Sequence, residues 1–272
     1  MNIDSLLNTD CLEWLKYNDY EYAADKNGEL YIKPTATATL TPYDPKPFLV
    51  DMMIEAANIG HSAKNNLVTT VETKSRVINF VKNYGLLGLI NAFTETGDYT
   101  ASEPLLINSE HFNKFSIKKK DYTKLFSCFG KFEKAIDDPN VVHLVDVVER
   151  DYYYHFIFSK EYSEKFDWIL SCFTNLSEKL NHALTFHHNL DFAGIPREKR
   201  NHYEIFTIKS LSFAIKMFDL PTLVWKFSSL KLAIDTVFGF YLSDKTNPLR
   251  ICKHCKKIFI ANLAKTEFCS PQ

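Results

Sequence analysis

The sequence predicts a mainly α-helical protein with a minor β component, with an α+β arrangement as the alternative. Several long segments repeat apolar residues every three or four positions, which is the spacing of one buried helix face. Extended chain is indicated mainly near the N-terminus, where prolines bound a run of alternating threonines. Only 8 of the 272 residues are glycine, which disfavours a chain built from tight hairpins.

The N-terminal part of the chain is predicted to change from helix to extended structure. The leucines and the tryptophan between about Asp4 and Tyr17 predict one or two short helices. The segment from Glu21 to Pro47 contains four prolines and alternates threonine with alanine near its centre. Because proline disrupts helix interiors and β-branched residues favour strands, this segment is predicted as extended chain or a short strand.

Most of the remaining chain up to residue 242 is predicted to be helical. A loop is expected over residues 98–120. The best strand candidate is Val141–Phe158, which is rich in valine and tyrosine, with a hairpin turn or a helix end at Glu149-Arg150-Asp151. Gly85 and Gly88 predict a break or a close helix contact, because glycine costs roughly 1 kcal/mol relative to alanine inside a helix. The predicted helices are Phe48–Asn58, Ser75–Phe93, Tyr122–Ile136, Ser163–Leu190, about Ile208–Phe218 and Ser229–Leu242.

Composition and cysteine usage predict a cytoplasmic protein. The formal net charge of −1 gives the whole chain no general affinity for phosphates. No secretory leader is recognised, and no segment approaches the roughly 20 apolar residues of a membrane helix. Three isolated cysteines with apolar neighbours, Cys11, Cys128 and Cys172, are predicted to be buried reduced thiols.

The strongest motif lies near the C-terminus. Cys252 and Cys255 form a Cys-x-x-Cys pair, and Cys269 follows after thirteen residues. Thiolates at this spacing can bind one metal ion from a tight turn, and a closed zinc site needs four ligands. We therefore predict a zinc site at Cys252, Cys255 and Cys269, in a module that ends before its fourth ligand. A redox role is disfavoured because no βαβ pattern precedes the pair, and His254 is expected to point away from the metal.

This motif also predicts the domain organisation. Residues 1–248 are predicted to form the mainly helical domain, and residues 249–272 the zinc module. An additional boundary near residues 140–160 is an alternative. From Lys245 onward, six basic residues stand against Glu267 alone, a local balance of +5. Such a balance suits either a solvated tail or a contact with phosphates.

The segment Leu249–Ile260, followed by Glu267-Phe268-Cys269-Ser270, resembles the C-terminal zinc finger of bacterial CGNR-type regulators and their uncharacterised relatives. The resemblance implies a helical N-terminal domain, a last amphipathic helix and a Cys-x-x-Cys … Phe-Cys-Ser-x-x-Cys module. Cys252, Cys255 and Cys269 match three ligand positions of that motif. The fourth ligand of the pattern would follow Gln272.

Other candidate sites are weaker. Glu178 and His182 lie four residues apart on a predicted helix, with His187 and His188 nearby, but they form no His-Glu-x-x-His motif. Acidic residues at Asp146, Glu149 and Asp151 suit either acid–base chemistry or solvation. Lysines interleaved with aromatics over residues 112–124 are typical of either nucleic-acid contact or a solvated loop. No nucleotide-binding or hydrolase signature is present.

The sequence thus predicts a non-enzymatic regulator whose zinc finger contacts DNA or a protein partner. The first alternative is an interaction protein in which the finger is only structural. The second is an enzyme of unknown reaction, with the acids near Glu149 or the histidines near His182 lining a pocket.

Overall fold

The structure of the chain is a computed structural model. It describes residues 14–24, 28–89, 157–158, 160, 162–192, 196, 206–208, 212–217, 219–227, 229–263 and 265–270. The predicted loop over 98–120, the predicted helix over 122–136 and nearly all of the predicted strand over 141–158 lie outside these residues, as do Cys11 and Cys128.

The described residues form an α+β fold, so the prediction of a mainly helical protein is wrong. Short antiparallel strands occur before, between and after the helices. Most of these strands have only three to six residues, which is too short for their alternating burial to stand out from a helical pattern in the sequence.

The first four strands lie in the N-terminal region. β1 pairs with β4, and β2 pairs with β3, both antiparallel. The predicted short helix ending at Tyr17 is therefore wrong over its last four residues, because Trp14 and Tyr17 are buried on a strand that pairs with β4. The extended chain predicted for Glu21 to Pro47 is confirmed over three described strands, whereas its last two residues begin a short 3-10 helix, Lys46–Phe48. The strands are β1 Trp14–Tyr17, β2 Tyr20–Ala24, β3 Leu30–Pro34 and β4 Leu40–Tyr43.

Four α-helices lie within the described residues: α1 Leu49–Lys64, α2 Thr70–Tyr84, α3 Phe166–Phe192 and α4 Leu230–Ser243. The α2 helix begins where Thr69 accepts a hydrogen bond from the Glu72 N–H. Ser229 caps α4 in the same way, by accepting from the Leu232 N–H. Gly85 adopts a φ of +91° directly after α2, so the predicted break at this glycine is confirmed. No helix of the described part is long and apolar enough to cross a membrane.

Three further sheet elements complete the described fold. β5 (Glu164–Lys165) adds to β3 just before α3 begins. The hairpin of β6 (Ser212–Met217) and β7 (Pro221–Lys226) replaces the helix predicted at about Ile208–Phe218, because its apolar residues alternate in direction along a strand. The hairpin of β8 (Leu249–Ile251) and β9 (Ile258–Ile260) contains the cysteine pair.

The α1 helix is the centre of the hydrophobic core and packs against α2, α3, α4 and β9. Met52, Met53, Ala56 and Ala57 on this helix are completely buried. Gly60 allows the backbones of α1 and α3 to approach closely, because an added Cβ would lie 2.1 Å from the Phe173 carbonyl oxygen.

A buried carboxylate fixes the segment after α2. Glu164 is completely buried and accepts hydrogen bonds from the backbone N–H groups of Leu87 and Leu89, both at 2.8 Å, and from the Tyr162 hydroxyl at 2.7 Å. Burial raises the pKa of Glu164, and this effect exceeds the lowering by the hydrogen bonds from Tyr162 and the backbone. Glu164 therefore joins the segment after α2 to the start of α3.

We expect Gly60→Ala to lower the free energy of unfolding by about 3 kcal/mol, because the two helices must separate. Gly239→Ala in α4 is the control, since its Cβ would approach closely only the movable Cδ1 end of Ile208, at 2.6 Å, with side-chain contacts at an ordinary 3.5 Å to Ile208 and Phe206. Chemical unfolding of both variants measures the difference. A Gly60→Ala protein as stable as the Gly239→Ala protein would show that the close approach of α1 and α3 is not required.

We expect Glu164→Gln to lower stability by about 1–3 kcal/mol, because its amide NH₂ meets backbone donors where a carboxylate oxygen accepted. The pKa of Glu164 in the folded protein lies above its ordinary value of 4.5. At a pH between the unfolded and the folded pKa, the unfolded state therefore binds fewer protons than the folded state. The wild-type free energy of unfolding therefore falls as the pH rises above about 4.5, and this contribution is missing in the variant.

Unfolding in urea at about pH 5 and about pH 8 tests this difference between the two proteins. Glu178→Gln, at an exposed carboxylate paired with Lys64, is the control. If the wild type and Glu164→Gln showed identical pH dependence, the raised pKa of the buried Glu164 carboxyl would be contradicted.

Candidate metal centre

The turn between β8 and β9 places the cysteine pair. The Cys252 N–H donates to the Lys257 carbonyl at 2.8 Å, and the Lys256 N–H donates to the Cys252 carbonyl at 3.0 Å. Lys256 has a φ of +61°, a left-handed conformation that is uncommon for a residue other than glycine. These contacts curl the chain around the Cys252 side chain and bring Cys255 to the same side of the hairpin.

Two contacts return the chain to the cysteine pair. The Lys253 N–H donates to the Glu267 carbonyl at 3.0 Å, and the Lys253 ammonium lies 2.6 Å from the Glu267 carboxylate. The ion pair is exposed and so adds little stability by itself. Its main effect is to hold Glu267 beside Lys253, so that Cys269, two residues after Glu267, lies next to Cys252 and Cys255.

The three cysteine sulfurs form one cluster. All three lie within 4.8 Å of one another, and the Cys255 and Cys269 sulfurs are 3.5 Å apart. This separation is far longer than a disulfide bond of about 2.0 Å, and all three cysteines are free. Three sulfurs around one tetrahedral zinc ion would be about 3.8 Å apart, given Zn–S bonds of about 2.3 Å. The arrangement therefore fits the geometry of a metal site.

The electrostatic environment favours a thiolate at Cys252. This side chain is buried, whereas Cys255 and Cys269 are exposed. Hydrogen bonds from the backbone N–H groups of Cys255, Cys269 and His254 lower the pKa of Cys252 to about 6. The neighbouring thiols of Cys255 and Cys252 raise the pKa of Cys269 to about 11. A metal ion binds the thiolate form, so Cys252 is the ligand best prepared for it.

Asn58 on α1 attaches the cysteine hairpin to the helical body. Its side-chain oxygen accepts from the Ile258 N–H at 2.7 Å, and its side-chain nitrogen donates to the Ile258 carbonyl at 2.9 Å. Ile258 and Leu249 are buried in the same hydrophobic core as the helices. The predicted boundary at residue 249 falls at the first residue of β8, and division into separate domains stays a prediction.

A cleft of about 510 Å³ lies beside the sulfur cluster. It is lined on one side by Phe259 and Ile260 of β9, and on the other by Lys265, Phe268 and Cys269. Phe259 and Phe268 thus border the cleft from the two chain segments that flank the cysteines.

Among the other predicted sites, the side chains that the structure describes do not join this cluster. His254 is exposed and lies outside the group of sulfurs. Glu178 forms an ion pair with Lys64, and the His182 ring packs 5.9 Å from the Phe186 ring. The side chains of His187 and His188, the acids at 146, 149 and 151 and the lysines over 112–124 lie outside the described residues.

Sequence reasoning missed two residues that organise this region and the core. The sequence places Asn58 only at the end of a predicted helix, and Glu164 only within another. No local signal marks either of them, because most of their partners are backbone groups distant in the chain. The Asn58 contact spans 200 residues of sequence.

Comparison of the chain with family models, curated proteins and solved structures found no match. The resemblance to CGNR-type regulators therefore stays a prediction from the cysteine module.

We expect the protein to bind Co²⁺ with the intense sulfur-to-metal charge-transfer absorption of thiolate ligands. Cys252→Ser should weaken this binding by at least about 100-fold, because loss of a ligand exceeds the effect of losing an outer-shell contact. Cys172→Ser is the control, since Cys172 lies on α3 outside the sulfur cluster. Titration by absorption spectroscopy measures both effects, and equal binding by the two variants would contradict a site at the three cysteines.

Proposed function

We propose that this protein is a non-enzymatic regulator in which Cys252, Cys255 and Cys269 hold a structural Zn²⁺ ion, so that the hairpin presents its lysines to nucleic acid. The observation that supports this proposal most is that three sulfurs, two from the turn between β8 and β9 and one from the segment after β9, lie within 4.8 Å of one another beside exposed lysines. When bound, Zn²⁺ supplies folding free energy to a segment with little apolar mass of its own.

The donor set supports zinc over harder cations. Thiolates are soft ligands that favour Zn²⁺, whereas Mg²⁺ and Ca²⁺ require oxygen donors. A closed site needs one ligand more than the three cysteines. The CGNR-type pattern supplies that ligand as a further cysteine, and water or a histidine would be the alternatives.

The charge on the hairpin supports contact with phosphates. Lys256, Lys257 and Lys265 are exposed on the same module, whereas Lys253 is paired with Glu267. The net charge of the whole chain is −1, so this module is a local excess of positive charge on a nearly neutral protein. A small basic surface of this kind binds phosphates with an affinity that falls as the salt concentration rises.

The attachment of the hairpin to α1 favours a second candidate, an interaction protein in which the metal only stabilises the fold. Asn58 fixes both backbone groups of Ile258, and Cys252 is only 1% exposed, so part of the module serves the core. In this case, loss of the metal would lower stability without changing any affinity for nucleic acid.

The two candidates differ in the salt dependence of DNA binding. We expect fluorescence anisotropy to show binding of a duplex whose affinity falls with salt, and Lys257→Gln with Lys265→Gln to reduce the slope of log K against log [salt] by about 2. A double variant on the helices, Lys64→Gln with Lys82→Gln, should leave the slope unchanged. Absence of binding, or equal slopes for both double variants, would reject nucleic-acid contact by the hairpin and favour the structural role.

A further inference from the structure

The hairpin of β6 and β7 carries an apolar face that is largely exposed. Phe213 lies opposite Trp225, Ile215 opposite Leu223 and Met217 opposite Pro221. Since residues directly opposite in an antiparallel pair project from the same side, these six apolar residues share one face. Ile215 and Met217 are 70% and 76% exposed, and Phe213 is 62% exposed.

This face is anchored at one end and open at the other. Trp225 is buried in the main hydrophobic core, and Leu223 packs against it. The Phe213 ring contacts the Trp225 ring edge-to-face at 6.2 Å. Leu220, beside the turn that joins the strands, is 74% exposed. The core therefore holds the base of the hairpin, while its apolar tip projects into solvent.

The area of this surface is what a stable protein interface requires. A large apolar side chain exposes on the order of 200 Å², so Phe213, Ile215, Met217 and Leu220 together leave roughly 550 Å² of apolar surface. A standard interface buries about 800 Å² per partner, and somewhat more than half of it, or about 450 Å², is apolar. The exposed patch alone supplies that apolar part.

We propose that this face, formed by Phe213, Ile215, Met217 and Leu220, is the contact surface for a second copy of the chain in a two-fold dimer. A two-fold interface places the same patch on both sides, so an uncharged apolar face is complementary to itself. The net charge of −1 leaves little repulsion between copies. Among the described strands β6 and β7 pair only with each other, so the hairpin is a small ribbon that gains stability when its apolar side is covered.

Sedimentation equilibrium of the full chain over a range of concentrations tests the proposal. We expect the wild type to be dimeric at micromolar concentration, and Ile215→Lys and Met217→Lys each to weaken the dimer by at least about tenfold, because each places a charge in an apolar contact. Val71→Lys is the matched control, since Val71 is 78% exposed and lies on a different element, the α2 helix. Circular dichroism melting checks that every variant is folded.

A dimer that is weakened by both hairpin variants and unchanged in Val71→Lys supports the proposal. A wild type that is monomeric at all concentrations would overturn it, and so would a dimer that resists both hairpin variants. Binding of the monomer to neutral phospholipid vesicles, lost in Ile215→Lys, would assign the face to a membrane surface and would equally overturn the proposal.

Discussion

The two hydrogen bonds between the Asn58 side chain and Ile258 connect the cysteine loop to the rest of the protein. Asn58 is on α1, the helix that packs against the three other described α-helices, and Ile258 is the first residue of β9. Because the amide binds both the N–H and the carbonyl of one residue, it fixes the position of β9 as well as its attachment. The turn that contains Cys252 and Cys255 precedes this residue directly.

If the three cysteines bind a metal ion, this contact would couple metal binding to folding of the body. A metal ion would hold Cys269 against the cysteine pair, and the pair is continuous with two strands whose residues Leu249 and Ile258 belong to the core. Free energy from metal binding would then stabilise α1 and its neighbours as well as the loop. Lys256 and Lys257 are exposed in the turn of the same hairpin, so its rigidity would also fix the position of their positive charge.

The parts that the sequence could predict depend on local signals. The helix predicted at Ser229–Leu242 is found as Leu230–Ser243, because a serine cap precedes a regular apolar stripe. The proximity of Cys252 and Cys255 follows from their spacing, and the Phe268-Cys269 motif marks Cys269 as a third ligand beside the pair.

The residues that the sequence did not reveal have distant partners. The strand Trp14–Tyr17 depends on pairing with Leu40–Tyr43, and the burial of Glu164 depends on the backbone of Leu87 and Leu89. The segment near Phe213 is predicted as helix but forms a strand, because six residues of mixed apolar character fit both the helical period of 3.6 and the strand period of 2.

The coupling between the metal site and the helical body is tested most directly by calorimetry of the wild type and Asn58→Ala, each with and without Zn²⁺. The account predicts that Zn²⁺ raises the temperature at which the helices of the wild type melt, and that the increase is clearly smaller in Asn58→Ala. A helical transition that Zn²⁺ leaves unchanged in the wild type, or shifts equally in both proteins, would contradict it.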